Sequence, residues 1–75
     1  IKYWLNVEAN VKISIYNSLG QELEEIINEI QSSGNYSVNW NAVNYASGIY
    51  FYSFEVMDQN NSLLHKEMKK LILLK

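Results

Sequence analysis

An all-β sandwich is the fold class this sequence predicts, and three observations carry it. Val11-Lys-Ile-Ser-Ile-Tyr16 alternates strictly, with Val11, Ile13 and Ile15 on one face and Lys12 and Ser14 on the other. Period two in β-branched residues marks a half-buried strand. Turn chemistry recurs at short intervals, at Asn17-Ser-Leu-Gly20, Gln31-Ser-Ser-Gly-Asn35 and Asp58-Gln-Asn-Asn-Ser62, the spacing expected of a sandwich. Finally, 48% of the 75 residues are hydrophobic and 13% are aromatic, which favours a packed core over disorder.

The elements follow in order. Ile1 to Leu5 reads as a short first strand, ended by Asn6 to Asn10. Val11 to Tyr16 is the second, and Asn17-Ser-Leu-Gly20 turns it, Asn bonding its own backbone and Gly accepting positive φ. Residues 21 to 28 are read as a third strand, against a competing pattern. Leu23, Ile26, Ile27 and Ile30 stand at i, i+3, i+4 and i+7, the spacing of an amphipathic helix, with Glu24, Glu25, Asn28 and Glu29 on the polar face. A two-turn helix is marginal alone and this one would follow a tight turn directly, so the strand is preferred and the helix stays the alternative. Tyr36-Ser-Val-Asn-Trp40 alternates again. Ile49 to Met57 carries bulk on both faces, which suits a central strand. Leu63 to Leu74 is a long last strand. No linker or low-complexity tract interrupts this single domain, and no internal repeat is evident.

Composition excludes several functions. There is no cysteine, hence neither disulfide nor thiolate metal site. Six basic residues, all lysine, against eight carboxylates give a net charge of −2, the wrong sign for a phosphate-binding surface. The apolar run Leu71 to Leu74 is too short to span a bilayer as a helix. One histidine, His65, and one aspartate, Asp58, offer no constellation for serine-type catalysis, and His65 reads as a solvent-facing strand residue. A single imidazole cannot hold zinc. Asp58-Gln-Asn-Asn61 has oxygens for calcium, but a hairpin turn accounts for the same residues. No catalytic, cofactor or metal residues are therefore assigned.

Three features remain as recognition candidates. Trp40-Asn-Ala-Val-Asn-Tyr-Ala-Ser-Gly-Ile-Tyr-Phe-Tyr52 joins a strand end to an aromatic strand through Ser47-Gly48, with Gly48 expected to take a conformation closed to residues bearing a Cβ. Tyr50 is expected to fill the core with Trp40 and Tyr52. Lys66, Lys69, Lys70 and Lys75 form a basic cluster and Glu22, Glu24, Glu25 and Glu29 an acidic one. The acidic cluster is read as a solvated strand face that discourages edge pairing, and the basic one is open to that reading as well.

Several segments at once are similar to those of a known family. Ile1-Lys-Tyr3, Val11-Lys-Ile-Ser-Ile-Tyr-Asn-Ser-Leu-Gly-Gln-Glu-Leu23, Gly34-Asn-Tyr-Ser-Val-Asn-Trp40, Ser47-Gly-Ile-Tyr50 and Lys70-Leu-Ile-Leu-Leu-Lys75 stand in order. They resemble the C-terminal sorting domain of proteins exported by the bacterial type IX secretion system. The family's Asn-Pro segment before its first strand has no counterpart, which is expected if the chain is cut from the end of a larger secreted protein. The resemblance implies an immunoglobulin-like sandwich of about seven strands, related in fold to the flagellar hook-capping protein's module. It also implies a native fusion to an N-terminal cargo, passage through the periplasm, recognition by the outer-membrane translocon, and removal by a cell-surface sortase. The recognition candidates are then Gly48, Tyr50, Lys69, Lys70 and Lys75. A final strand at a sheet edge could be extended by a receptor strand, its lysines suiting an acidic partner. The alternative is an immunoglobulin-like binding or spacer module of a surface protein, touching glycans through Trp4 and Tyr45.

Overall fold

A computed structural model describes all 75 residues, and it is all-β. Six strands form: β1 Lys2–Leu5, β2 Ala9–Asn17, β3 Glu22–Gln31, β4 Gly34–Ser37, β5 Gly48–Met57 and β6 Leu63–Leu73. They make two antiparallel sheets, a ribbon of β1 and β4 and a four-stranded sheet in the order β3-β2-β5-β6. The count is six, where the resemblance implied about seven. The helix alternative for residues 22–30 is not what forms, and β3 runs three residues beyond the expected strand end.

Two irregularities explain why β3 looks helical in sequence. Ile13 pairs with Ile27 but Ser14 with Glu25, and Ile15 pairs with Glu24 but Tyr16 with Glu22. Ile26 and Leu23 are thus the extra residues of two β-bulges. Each bulge resets the period-two alternation by one position, and two resets three residues apart imitate a period of 3.6. The bulge also lets the adjacent Ile26 and Ile27 both pack against the core.

The core lies between the ribbon and one face of the large sheet. Leu5, Ala9, Val11, Ile13, Phe54 and Val56 are buried there, with Ile1, Tyr3, Tyr36 and Val38 packed on them from the ribbon side. Tyr3 stacks on Tyr36 at 5.3 Å and leans on Phe54 at 4.9 Å, joining the two layers. The predicted strand Tyr36 to Trp40 loses its ladder at Ser37, although Ile1 and Val38 still exchange a pair of backbone bonds. Residues 38 to 47 then cross as a loop. The other face of the large sheet is open. At its centre the cross-strand pair Ser14 and Ser53 is nonetheless buried, and neither hydroxyl has a hydrogen-bond partner.

Both hairpins of the large sheet close by one device. Asn17 Oδ1 accepts the backbone N–H of Leu19 and Gln21, and Asp58 Oδ1 accepts those of Asn60 and Ser62. The left-handed position that follows is Gly20, φ 84°, in the first and Asn61, φ 61°, in the second. Asp58 is thereby committed as a turn acceptor.

Candidate functional site

Register brings the separated motifs together. Gly48 pairs with Leu73, Ile49 with Ile72, Tyr50 with Leu71, Phe51 with Lys70 and Tyr52 with Lys69. The Gly-Ile-Tyr stretch and the terminal lysine-aliphatic motif, Tyr50 and Lys70 being twenty positions apart in sequence, thus lie on successive rungs of one antiparallel ladder. Beyond the ladder, the Lys75 backbone N–H donates to Ser47 Oγ at 2.9 Å, and Lys75 Nζ donates to the Val43 carbonyl at 2.9 Å.

Tyr50 is an internal residue. It is 9% exposed, and its O–H donates to the Ala46 carbonyl at 2.7 Å, four residues upstream. This is the tyrosine-corner arrangement that fixes how a chain enters a strand in β-sandwiches. Its ring meets Trp40 edge-on at 5.4 Å, and Trp40 meets Tyr45 at 5.2 Å. Trp40 Nε1 donates to Glu24 Oε1 at 2.9 Å and the Tyr45 O–H to the same oxygen at 3.3 Å. Burial, then the nearby Glu24 charge and its hydrogen bond, raise the Tyr45 phenol above its ordinary value. Trp40 and Tyr52 are half-buried rather than wholly in the core.

The same arrangement occurs a second time. Ser33-Gly34-Asn35-Tyr36 repeats Ser47-Gly48-Ile49-Tyr50, and the Tyr36 O–H donates to the Ser32 carbonyl at 2.5 Å, again four residues upstream. Gly34 has φ 145° and Gly48 φ 157°, both at the far positive margin that side chains disfavour. Nothing lies within 4 Å of a Cβ built on Gly48, so its constraint is in the backbone alone. Sequence reading overlooked this repeat, although Ser-Gly-x-Tyr stands twice in plain view. It also missed Glu24, which is no idle member of an acidic face: it anchors the 38–47 loop to β3.

The lysines differ from one another. On β6, Lys66 faces the half-buried Glu55 at 3.6 Å, and Lys69 faces Glu67 at 3.7 Å in a pair that is exposed and so weak. Lys70, opposite Phe51 on the open face, makes no ion pair. Leu71 and Leu73 are half-buried on the inner side, whereas Ile72 and Leu74 stand 65% and 84% exposed. His65 is exposed on the same strand, near Glu67 and against Phe54. Trp4 is 59% exposed beside a groove of about 470 Å³ that Lys2, Asn6, His65 and Glu67 help to line.

These features define a small all-β module whose distinctive residues gather on one two-strand ladder at a sheet edge. A family model described as "Secretion system C-terminal sorting domain" matches residues 2–73, and the chain belongs to that family. No curated protein and no solved structure matches it. The domain is a C-terminal sorting signal of type IX secretion, a family with a non-catalytic role. Its destination is the cell surface or the extracellular space. No helix is long and apolar enough to cross a membrane.

Proposed function

We propose that the translocon reads the β5–β6 ladder, with Lys69, Lys70 and Lys75 as contacts and Gly48 and Tyr50 as the residues that hold the ladder in shape. The observation that carries this reading is the register itself, Gly48 against Leu73 through Tyr52 against Lys69. Two motifs that the resemblance singles out in sequence are one surface in space. Tyr50 turns its hydroxyl inward, so its part is to build the strand start, while Lys70 offers an uncompensated charge. The chain acts as one sorting domain carried by a larger N-terminal cargo, catalyses nothing itself, and is handed at the surface to a sortase.

Export of a reporter fusion tests this directly. Replacing Lys69, Lys70 and Lys75 by glutamine touches exposed side chains, where substitutions usually stay within about 0.5 kcal/mol. The variant loses the Lys75 bond to the Val43 carbonyl and the weak Lys69–Glu67 pair, so it is expected to fold with only a slightly lowered melting temperature yet leave the reporter in the periplasm. Normal export would remove the lysines from recognition. Deleting Leu71 to Lys75 takes away rungs of the ladder, and is expected to lower stability and abolish export together.

A second reading attaches to Trp4, whose exposed ring beside the groove suits stacking on a sugar. Tyr45 does not share such a platform, being held by Trp40 and Glu24. Glycan-array binding that disappears in Trp4→Ala would favour this reading.

A further inference from the structure

The two edges of the large sheet are unlike. β3 is bulged at Leu23 and Ile26 and carries Glu22, Glu24, Glu25 and Glu29. Bulges are a standard means of preventing an edge from templating another strand, and like charges on either edge discourage pairing with a copy of itself. β6 is regular for nine residues, with every position from His65 to Leu73 paired one-to-one with Val56 to Gly48. Its single irregularity lies beyond that stretch, next to Leu63. β6 bonds to β5 alone, so the backbone groups along its outer side are unpaired. Three lysines less Glu67 give the strand a charge of +2.

The open-face row of β6 is specific in its order. Lys66, Met68, Lys70 and Ile72 follow one another, Lys66 already facing Glu55, Lys70 facing none, and Met68 and Ile72 standing 55% and 65% exposed. A single unmatched cation thus lies between two exposed apolar side chains on a straight, unpaired strand.

We propose that β6 receives an extended segment of the export machinery as a fifth strand, and that this segment sets a carboxylate opposite Lys70 between apolar residues opposite Met68 and Ile72. The proposal rests on the reading of β6 as the recognised element and supplies its partner's chemistry. Main-chain bonds to the open edge give binding, and the apolar–acidic–apolar row gives the register. A second copy of this chain is a poorer occupant. β6 against β6 sets lysines against lysines, and the one acidic strand on offer, β3, is broken by its two bulges.

Amide hydrogen exchange on the 75-residue chain tests this without the translocon. The probe is a seven-residue peptide with blocked ends, Thr-Val-Thr-Glu-Thr-Val-Thr, and the control carries lysine in place of glutamate. With about 1 mM peptide and a Kd of about 0.1 mM, the β6 amides that face away from β5 slow roughly tenfold. The lysine peptide gives no such slowing, and nuclear Overhauser contacts run from the probe to β6. No slowing with the glutamate peptide overturns strand addition. Equal slowing by both peptides overturns the acidic partner. Protection that grows with protein concentration alone makes a second copy the occupant and likewise overturns the proposal. The export assay of the glutamine variant fails or succeeds independently, so loss of the lysine reading and loss of strand addition are told apart.

Discussion

Tyr50 sits at the crossing of folding and recognition, and its chemistry separates into a ring and a hydroxyl. The ring is buried among Trp40, Tyr45 and Leu71's rung, while the hydroxyl holds the Ala46 carbonyl. Tyr50→Phe loses one hydrogen bond and leaves a carbonyl short of a partner, an expected cost of about 1–2 kcal/mol. Tyr50→Ala leaves a cavity as well and is expected to cost about 3–5 kcal/mol. Gly48→Val meets no atom but must adopt a φ that a β-branched residue resists, an expected loss of about 1–3 kcal/mol. Thermal melting of the three variants in that order checks the assignment, and equal melting of Tyr50→Phe and Tyr50→Ala would deny the ring its place in the core. Ser53 runs the other way. Its hydroxyl is buried with no partner, so Ser53→Ala is expected to raise stability by about 1 kcal/mol. Much at this scale was legible in sequence: the turn acceptors Asn17 and Asp58, the inward Tyr50, the exposed His65. Glu24 was not, because a carboxylate that caps two aromatics across the fold is indistinguishable in sequence from one in water.

At the scale of elements, β3 shows what periodicity can and cannot reveal. Strand period is two only while register is uninterrupted, and the spacing of Leu23, Ile26, Ile27 and Ile30 records two interruptions. Local context, a tight turn directly upstream, decided for the strand, but the bulges themselves could not be foreseen because they are defined by the partner strand. The same limit applies to β4, where Tyr36, Val38 and Trp40 keep their alternating burial after the ladder has ended. If the bulges serve to blunt the β3 edge, deleting Ile26 should straighten it from Glu24 to Gln31, leaving only the bulge at Leu23. The deletion joins the Ile13–Ile27 and Ser14–Glu25 rungs without turning other side chains to the wrong face. The expected outcome is a folded domain, weakened by about 1–2 kcal/mol for the half-buried isoleucine, that self-associates at concentrations where the parent stays monomeric. Light scattering decides, and unchanged association would mean that the glutamates and the remaining bulge at Leu23 suffice to protect this edge.

Besides the apolar core, two phenols tie the ribbon and the 38–47 loop to the large sheet. Tyr3 joins the β1–β4 ribbon to the large sheet, resting on Phe54 and donating to Gln31 Oε1 at 2.5 Å. Tyr45 helps to fasten the 38–47 loop to Glu24 on β3, while Lys75 holds the same loop from the other side. Burial raises the Tyr3 hydroxyl above its ordinary value, the Gln31 bond opposing and the Tyr36 and Glu29 charges assisting. Burial and the Glu24 carboxylate do the same for Tyr45. In both cases the folded state favours the protonated phenol, so the unfolded chain ionises first as pH rises. Stability from these groups is fully present below the ordinary tyrosine value of about 10 and is lost as pH climbs through the higher folded values. The denaturation midpoint should therefore be level from about pH 7 to about pH 9 and fall beyond it. The double variant Tyr3→Phe, Tyr45→Phe removes both protons and should start from a lower midpoint, having lost two hydrogen bonds, yet decline less steeply above about pH 10. The slope rather than the starting value carries the test, since loss of packing would lower the whole curve without flattening it. A parallel decline in parent and variant would place the alkaline weakness elsewhere than in the two phenols that tie ribbon and loop to the sheet.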